Sequence, residues 1–194
     1  MQQLCAARWG SPSLGLLRTY TPSGPQSHAE KLSSSYTSRI SRSSCLILSS
    51  STDVMAELYL ASQAGVPITL HVRGLCCLRP GVPGLSETIR VVAAVGRFLE
   101  HSRIFEFKNG GDVEYYTGSA DWMRRNLDRR VETITPVEDD KIKRELREIL
   151  DVYDDDNSSA WDCGPDGVYV RRRPKEGEPQ RAAQSCCMRL ANKS

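Results

Sequence analysis

Asn109-Gly110-Gly111 stands between two short runs, RIFEF over 103–107 and VEYYTG over 113–118. The first run alternates apolar and polar residues, and the second is rich in aromatic and β-branched residues. An Asn-Gly turn between such runs predicts an antiparallel hairpin, because glycine reaches the backbone angles a tight turn demands. DRRVETITPV, over 128–137, reads as one further strand. Any fold proposed for this chain must accommodate that hairpin.

Around it the period of the sequence changes. TDVMAELYLASQAG, over 52–65, spaces Val54, Leu58 and Ala61 as one helix face, with Thr52 or Asp53 to cap it and Gly65 to stop it. VPITLHV then reads as a buried strand ending at Arg73-Gly74. A helix passing through a short loop into a strand is an α/β signature. RPGVPGLSE is a loop, and Ser86 with Glu87 opens a second predicted helix, ETIRVVAAVGRFL, over 87–99. EDDKIKRELREILDVY is the clearest helix, with Ile142, Leu146, Ile149 and Leu150 on one face and acids at the end where the macrodipole favours them. AWDCGPDGVYVRRR predicts a small hairpin about Gly164-Pro165-Asp166-Gly167, and RRPKEGEPQ and the tail read as exposed. The expected fold is α/β, a mixed sheet flanked by helices, over about residues 53–160.

The bulk numbers narrow the class. A chain of 194 residues with 39% hydrophobic and 26% charged residues suits a globular domain with its own core. No run approaches the roughly 18 apolar residues of a membrane helix, so membrane association is not indicated. The net charge of +2 divides unevenly, with +4 over residues 1–52 and −2 over the rest. That balance does not point to nucleic acid as a partner. Seven cysteines include the adjacent pairs Cys76-Cys77 and Cys186-Cys187 and no Cys-x-x-Cys, which disfavours zinc or a disulfide framework and suits a reducing compartment. Residues 1–52 are Ser-rich and aperiodic. They read as a disordered leader, or as a transit peptide, which would turn a cytoplasmic location into an organellar one.

The chemistry gathers about His101. Arg73 closes a predicted buried strand, Arg103 follows His101 by two positions, and Gly118-Ser119 ends the hairpin. Sites in α/β sheets collect at strand ends. Guanidinium groups grip phosphate oxygens, and an imidazole protonates or attacks a phosphoryl group. This is a phosphate-handling set. Arg124, Arg125, Arg129 and Arg130 are candidates for a polyanion path or for a solvated face. Glu100, Asp112, Asp121 and Glu132 are the candidate magnesium ligands, against the usual fate of such carboxylates in solvent. Asp121 and Trp122 read as packing and turn residues, and no metal site is assigned.

His101-x-Arg103 followed by Gly118-Ser119-x-Asp121 resembles the half-site of the phospholipase D superfamily, whose histidine is the nucleophile toward phosphorus. Here arginine replaces that family's lysine, Lys108 falls where its aspartate stands, and Asp121 replaces its asparagine. A closer resemblance covers about residues 53–180. VRG with CCLRPGVPGLSE, GRFLEHSRI, NGGD and GSADWM with RNLDRRVE resemble the last catalytic domain of the bacterial-type, family-1 polyphosphate kinases.

That resemblance implies a phospholipase-D-like fold and reversible transfer of the ATP γ-phosphate to polyphosphate. It implies ATP or ADP and inorganic polyphosphate as partners, and Mg²⁺ with ligands that are not identifiable in this chain. Arg73 and His101 match family residues that contact ATP phosphates, and Arg103 with the four later arginines are candidates for holding polyphosphate. The phosphohistidine of the family lies in a preceding domain, which this chain is expected to lack. Residues 1–52 and the tail over 181–194 do not match the pattern. Further partners would be that missing domain or a homo-oligomer. The alternatives are a phosphodiesterase or phosphotransferase using His101 as nucleophile, and a non-catalytic remnant.

Overall fold

The computed structural model describes residues 40–49, 52–109, 111–119, 121–123 and 129–192. In chain order these form β1 (Ile40–Ser49), α1 (Thr52–Gln63), β2 (Ile68–Cys76), β3 (Ile89–Ala94), β4 (Ile104–Asn109), β5 (Asp112–Gly118) and β6 (Ile134–Val137). Then come α2 (Asp140–Asp154), β7 (Ala160–Cys163), β8 (Tyr169–Arg171) and α3 (Ala183–Ala191). The eight strands make one sheet in the order β6-β5-β4-β1-β2-β3-β7-β8. The expected mixed sheet flanked by helices is therefore present. β1, β2 and β3 run parallel at its centre, and antiparallel strands extend both sides.

The hairpin forms where the Asn-Gly turn predicts it. Asn109 pairs with Asp112 and Ile104 with Thr117, which fixes every facing pair between β4 and β5. The second predicted hairpin also forms, with Cys163 opposite Tyr169. α1 starts at Thr52, so its capping position falls outside the described residues. Val54, Leu58 and Ala61 are buried as their spacing predicts. They pack with Leu70 and Val72 of β2, Val91 and Ala93 of β3, and Phe105 and Phe107 of β4 on one face of the sheet. Burying each large aliphatic side chain there contributes roughly 1.5–3 kcal/mol.

The opposite face belongs to α2 and α3. Leu150, Ile104 and Tyr115 form one buried group, and Tyr153, Ala94 and Ala183 a second. The Asp139 carboxylate caps α2 by accepting from the Lys141 and Ile142 amides at 2.8 and 2.9 Å. Those bonds, Ile142 foremost, hold its pKa below the usual aspartate value. Ile142 itself is 46% exposed, and the buried residues of α2 are Leu150 and Tyr153, nearer its end.

Three expectations are corrected. The stretch read as leader over 1–52 ends earlier, since Ile40–Ser49 is the central strand β1, between β2 and β4. Partners on both edges take up its backbone hydrogen bonds, a stabilisation that composition does not display. Residues 1–39, 50 and 51 of that stretch lie outside the described residues. The helix predicted over 87–99 is instead strand β3. Val91, Val92, Ala93 and Ala94 are all buried, so the alternation that would mark a strand is lost between two covered faces. The tail is no loose end. Ala183 is buried and opens α3, which packs on α2 and β3.

Candidate functional site

Register places the site before any side chain is considered. β4 runs antiparallel to β1, so the start of β4 lies beside the carboxyl end of the parallel strands. Ile104 opens β4 opposite Thr117, which brings the end of β5 to the same edge. The loop over 95–103, leaving β3 and entering β4, crosses that edge with His101 on it. Arg73 reaches it from β2.

Asp121 is the hub. Arg103 donates to its carboxylate through Nε at 3.2 Å and Nη2 at 3.0 Å, a two-pronged hold. Arg73 Nη2 donates to the same carboxylate, and Arg73 Nη1 donates to the Glu100 carbonyl at 2.9 Å. The Arg103 and Asp121 side chains are 7% and 5% exposed, and Arg73 is 14% exposed. Two guanidinium groups against one carboxylate leave a surplus positive charge. Arg103 Nη1 then reaches His101, lying 2.5 Å from the ring Nδ1 and donating also to the His101 carbonyl. His101 is exposed above this buried support.

A guanidinium has donors and no acceptor. The Nδ1 facing Arg103 must therefore carry the lone pair, and the ring proton resides on Nε2. A neutral His101 ring in this contact thus offers an N–H at Nε2 rather than a free lone pair.

The Gly118-Ser119 pair shapes the edge rather than the charge. A Cβ on Gly118 would collide with the Thr133 carbonyl. Ser119 donates its amide to Thr133 at 2.9 Å and its hydroxyl to Glu132, so that hydroxyl is engaged within the protein. Trp122 stacks on Phe105 with centroids 5.6 Å apart and fixes the chain just beyond Asp121.

The structure therefore joins Arg73, His101 and Arg103 and gives them different places. Arg103 lies beneath His101, not on an open path. Arg129 and Arg130 are exposed, and Arg124 and Arg125 lie outside the described residues. His71 sits elsewhere, fully buried on the α2 face with Nε2 3.2 Å from Asp154. Asp121, expected as a packing and turn residue, is buried and also joins two arginines. It lies 48 and 18 positions from its two arginines, so no local spacing announces the pairing.

The candidate magnesium carboxylates do not converge. Asp121 is held by two arginines, the Glu100 carboxylate accepts from Gln184 at 2.6 Å, and Glu132 accepts from Ser119. The side chain of Asp112 lies outside the described residues. Among the described residues no three His, Cys, Asp or Glu side chains gather to hold a metal. Among the described residues, those side chains do not fit a cation site. Among them, too, no helix is long and apolar enough to cross a membrane.

Comparison with known proteins follows the same lines. Residues 43–184 match the family described as polyphosphate kinase C-terminal domain 2. The chain is 60% identical to a polyphosphate kinase of Thermosynechococcus vestitus over 137 residues, covering 71% of this chain and 19% of that protein. With a polyphosphate kinase of Synechocystis it shares 57% identity, covering 69% of this chain and 18% of that protein. The chain thus spans about a fifth of the length of these curated relatives. The crystal structure of a polyphosphate kinase from Porphyromonas gingivalis superposes with a TM-score of 0.75 at 33% identity, over 94% of this chain and 26% of that one. A phospholipase D family member from Salmonella typhimurium aligns at 14% identity with a TM-score of 0.48, too low for that likeness to carry an argument. The chain belongs to the polyphosphate kinase family and carries its C-terminal domain 2.

Proposed function

We propose that this chain is the ATP-handling part of a polyphosphate kinase, holding the phosphates of ATP at His101 and Arg73 while the γ-phosphate passes reversibly to polyphosphate. The observation that carries this reading is the Arg103–His101 contact. With Nδ1 accepting from Arg103, the exposed Nε2–H is a hydrogen-bond donor suited to a phosphate oxygen and to charge developing on it. The same contact weighs against His101 as a nucleophile, because attack on phosphorus needs the Nε2 lone pair that the proton occupies. Arg73 and the surplus charge of the cluster supply attraction from behind, and little of that charge is screened by solvent at this burial. Arg103 acts through His101 and does not itself touch the phosphate. The exposed Arg129 and Arg130, with Arg124 and Arg125, remain the candidates for the polyphosphate chain.

Calorimetric titration of ATP into the folded chain tests this. Wild type binds, and His101→Ala and Arg73→Ala each weaken binding by roughly 10- to 100-fold, the worth of a hydrogen bond to a charged group. A folded wild type that takes up no ATP overturns the reading. Metal-independent phosphodiester cleavage abolished by His101→Ala would overturn it in favour of the nucleophile.

A further inference from the structure

The loop that carries His101 has little burial of its own. Residues 95–99 are all exposed, with Phe98 and Leu99 at 49% and 71%. Arg73 and Arg103 hold its second half, and its first half is held by a side chain from the far end of the protein. Gln184, the second residue of α3, accepts from the Phe98 amide at 3.0 Å and donates to the Phe98 carbonyl at 2.7 Å. Its Nε2 also donates to the Glu100 carboxylate at 2.6 Å. The amide therefore pairs with both backbone groups of one loop residue and with the side chain of another. Gly96 makes room for it, since a Cβ there would collide with Gln184 Oε1. The Glu100 carbonyl in turn receives Arg73, and His101 is the next residue.

We propose that Gln184 is a positioning residue for the anion site. By fixing Phe98 and Glu100 it sets where the Glu100 carbonyl meets Arg73 and where the His101 ring meets Arg103. This rests on the reading of Arg73 and His101 as phosphate ligands. The helix that carries Gln184 is itself fastened, because the Ala183 amide donates to the buried Asp156 carboxylate at 2.8 Å. The Asn157 side chain adds two bonds, donating to the Pro179 carbonyl and accepting from the Arg181 amide. A stretch that reads as an exposed tail thus reaches the site across the sheet edge.

The test uses the full chain with Gln184→Ala and, independently, Gly96→Ala, whose new methyl displaces the Gln184 amide. ATP affinity is measured by calorimetry. The His101 ring is followed by long-range proton–nitrogen correlation spectra, assigned with His101→Ala, and folding is checked by circular dichroism. Both variants are expected to fold, to bind ATP roughly tenfold more weakly, as loss of supporting hydrogen bonds does, and to lose the clean Nε2–H pattern of His101. A merely structural role would leave that ring pattern untouched. Folded variants with wild-type affinity and a wild-type ring pattern overturn the proposal. If wild type itself binds no ATP, the functional reading fails, and the ring pattern alone decides the clamp: altered in the variants it stands, unaltered it falls.

Discussion

Two arginine–carboxylate clusters lie on this sheet, each built on a buried carboxylate, and their charge balance is opposite. At the strand ends, Arg73 and Arg103 share the single carboxylate of Asp121, and the surplus positive charge sits under an exposed histidine. Beneath α2, Arg147 faces Glu106 at 2.5 Å, Asp151 at 2.7 Å and Asp154 at 3.3 Å, one cation against three carboxylates. Tyr115 donates to Glu106 at 2.6 Å, and His71 is sealed against Asp154 and Tyr153. Burial, followed by the bond to Glu106, pushes the Tyr115 hydroxyl pKa up. Burial works against the charged form of Arg147, but the neighbouring carboxylates, Glu106 first, more than offset it and raise its pKa. The same residue types thus make an anion site in one place and an internal strut in the other. Charge surplus and access decide which.

The largest effect expected from breaking this contrast is on stability. Glu106 is fully buried, and Glu106→Ala leaves Arg147 without its closest partner. Arg147 keeps Asp151 and Asp154, but the buried Tyr115 hydroxyl loses its acceptor, which costs about 1–3 kcal/mol, and the emptied space adds to that loss. Urea unfolding should show that loss, while the folded fraction keeps wild-type ATP affinity. A parallel fall in affinity would mean that the strut and the site are one unit.

Arg73 should give the reverse result. Arg73→Ala is expected to weaken ATP binding by roughly 10- to 100-fold with little change in the urea midpoint. Arg73→Lys sharpens the contrast. Lysine keeps the charge but has no planar fork to hold the Glu100 carbonyl and Asp121 together. Its affinity should fall between wild type and alanine, by roughly tenfold. If lysine restores full affinity, point charge alone is what the site requires.

Sequence reading found the parts of the molecule whose signals are local. The Asn109-Gly110 turn marks the β4–β5 hairpin, and the period of Leu146, Ile149 and Leu150 marks α2, because both patterns arise within a few residues. His101 and Arg73 emerge from residue chemistry beside predicted strand ends. The features that were missed depend on distant partners. β1 is a strand because β2 and β4 flank it, though four of its ten residues are serines around a short apolar run. β3 is apolar from Val91 to Ala94 because both its faces are covered there, which leaves helix and strand indistinguishable by period. Asp121 and Gln184 matter through contacts 18 to 86 positions away, and nothing in their neighbours reveals it.

The smallest expected effect joins the two regions through Asp156, between the end of α2 and the start of β7. Burial pushes its carboxyl pKa up, but four hydrogen bonds outweigh that, from the Ser159 hydroxyl and from the Ala183, Ser159 and Ser158 amides. The pKa therefore lies below the ordinary 3.8. A depressed value in the folded state means that the stabilisation is present above the unfolded pKa and is lost as pH falls through the folded one. Asp156→Asn removes the charge and turns one acceptor into a donor facing those amides, at a cost of about 1–2 kcal/mol near neutral pH. Urea midpoints of wild type and variant should differ most above pH 5 and converge as the pH drops below 3.8. Other low carboxyl groups such as Asp162 titrate in both proteins, so the difference between the two curves isolates Asp156. Because Asp156 also fastens the start of α3, the variant should bind ATP slightly more weakly through Gln184. Curves that stay parallel down to pH 2 would show that the Asp156 charge contributes nothing, leaving α3 to be held by its packing on Tyr153 and Ala94 and by the Asn157 and Gln184 bonds.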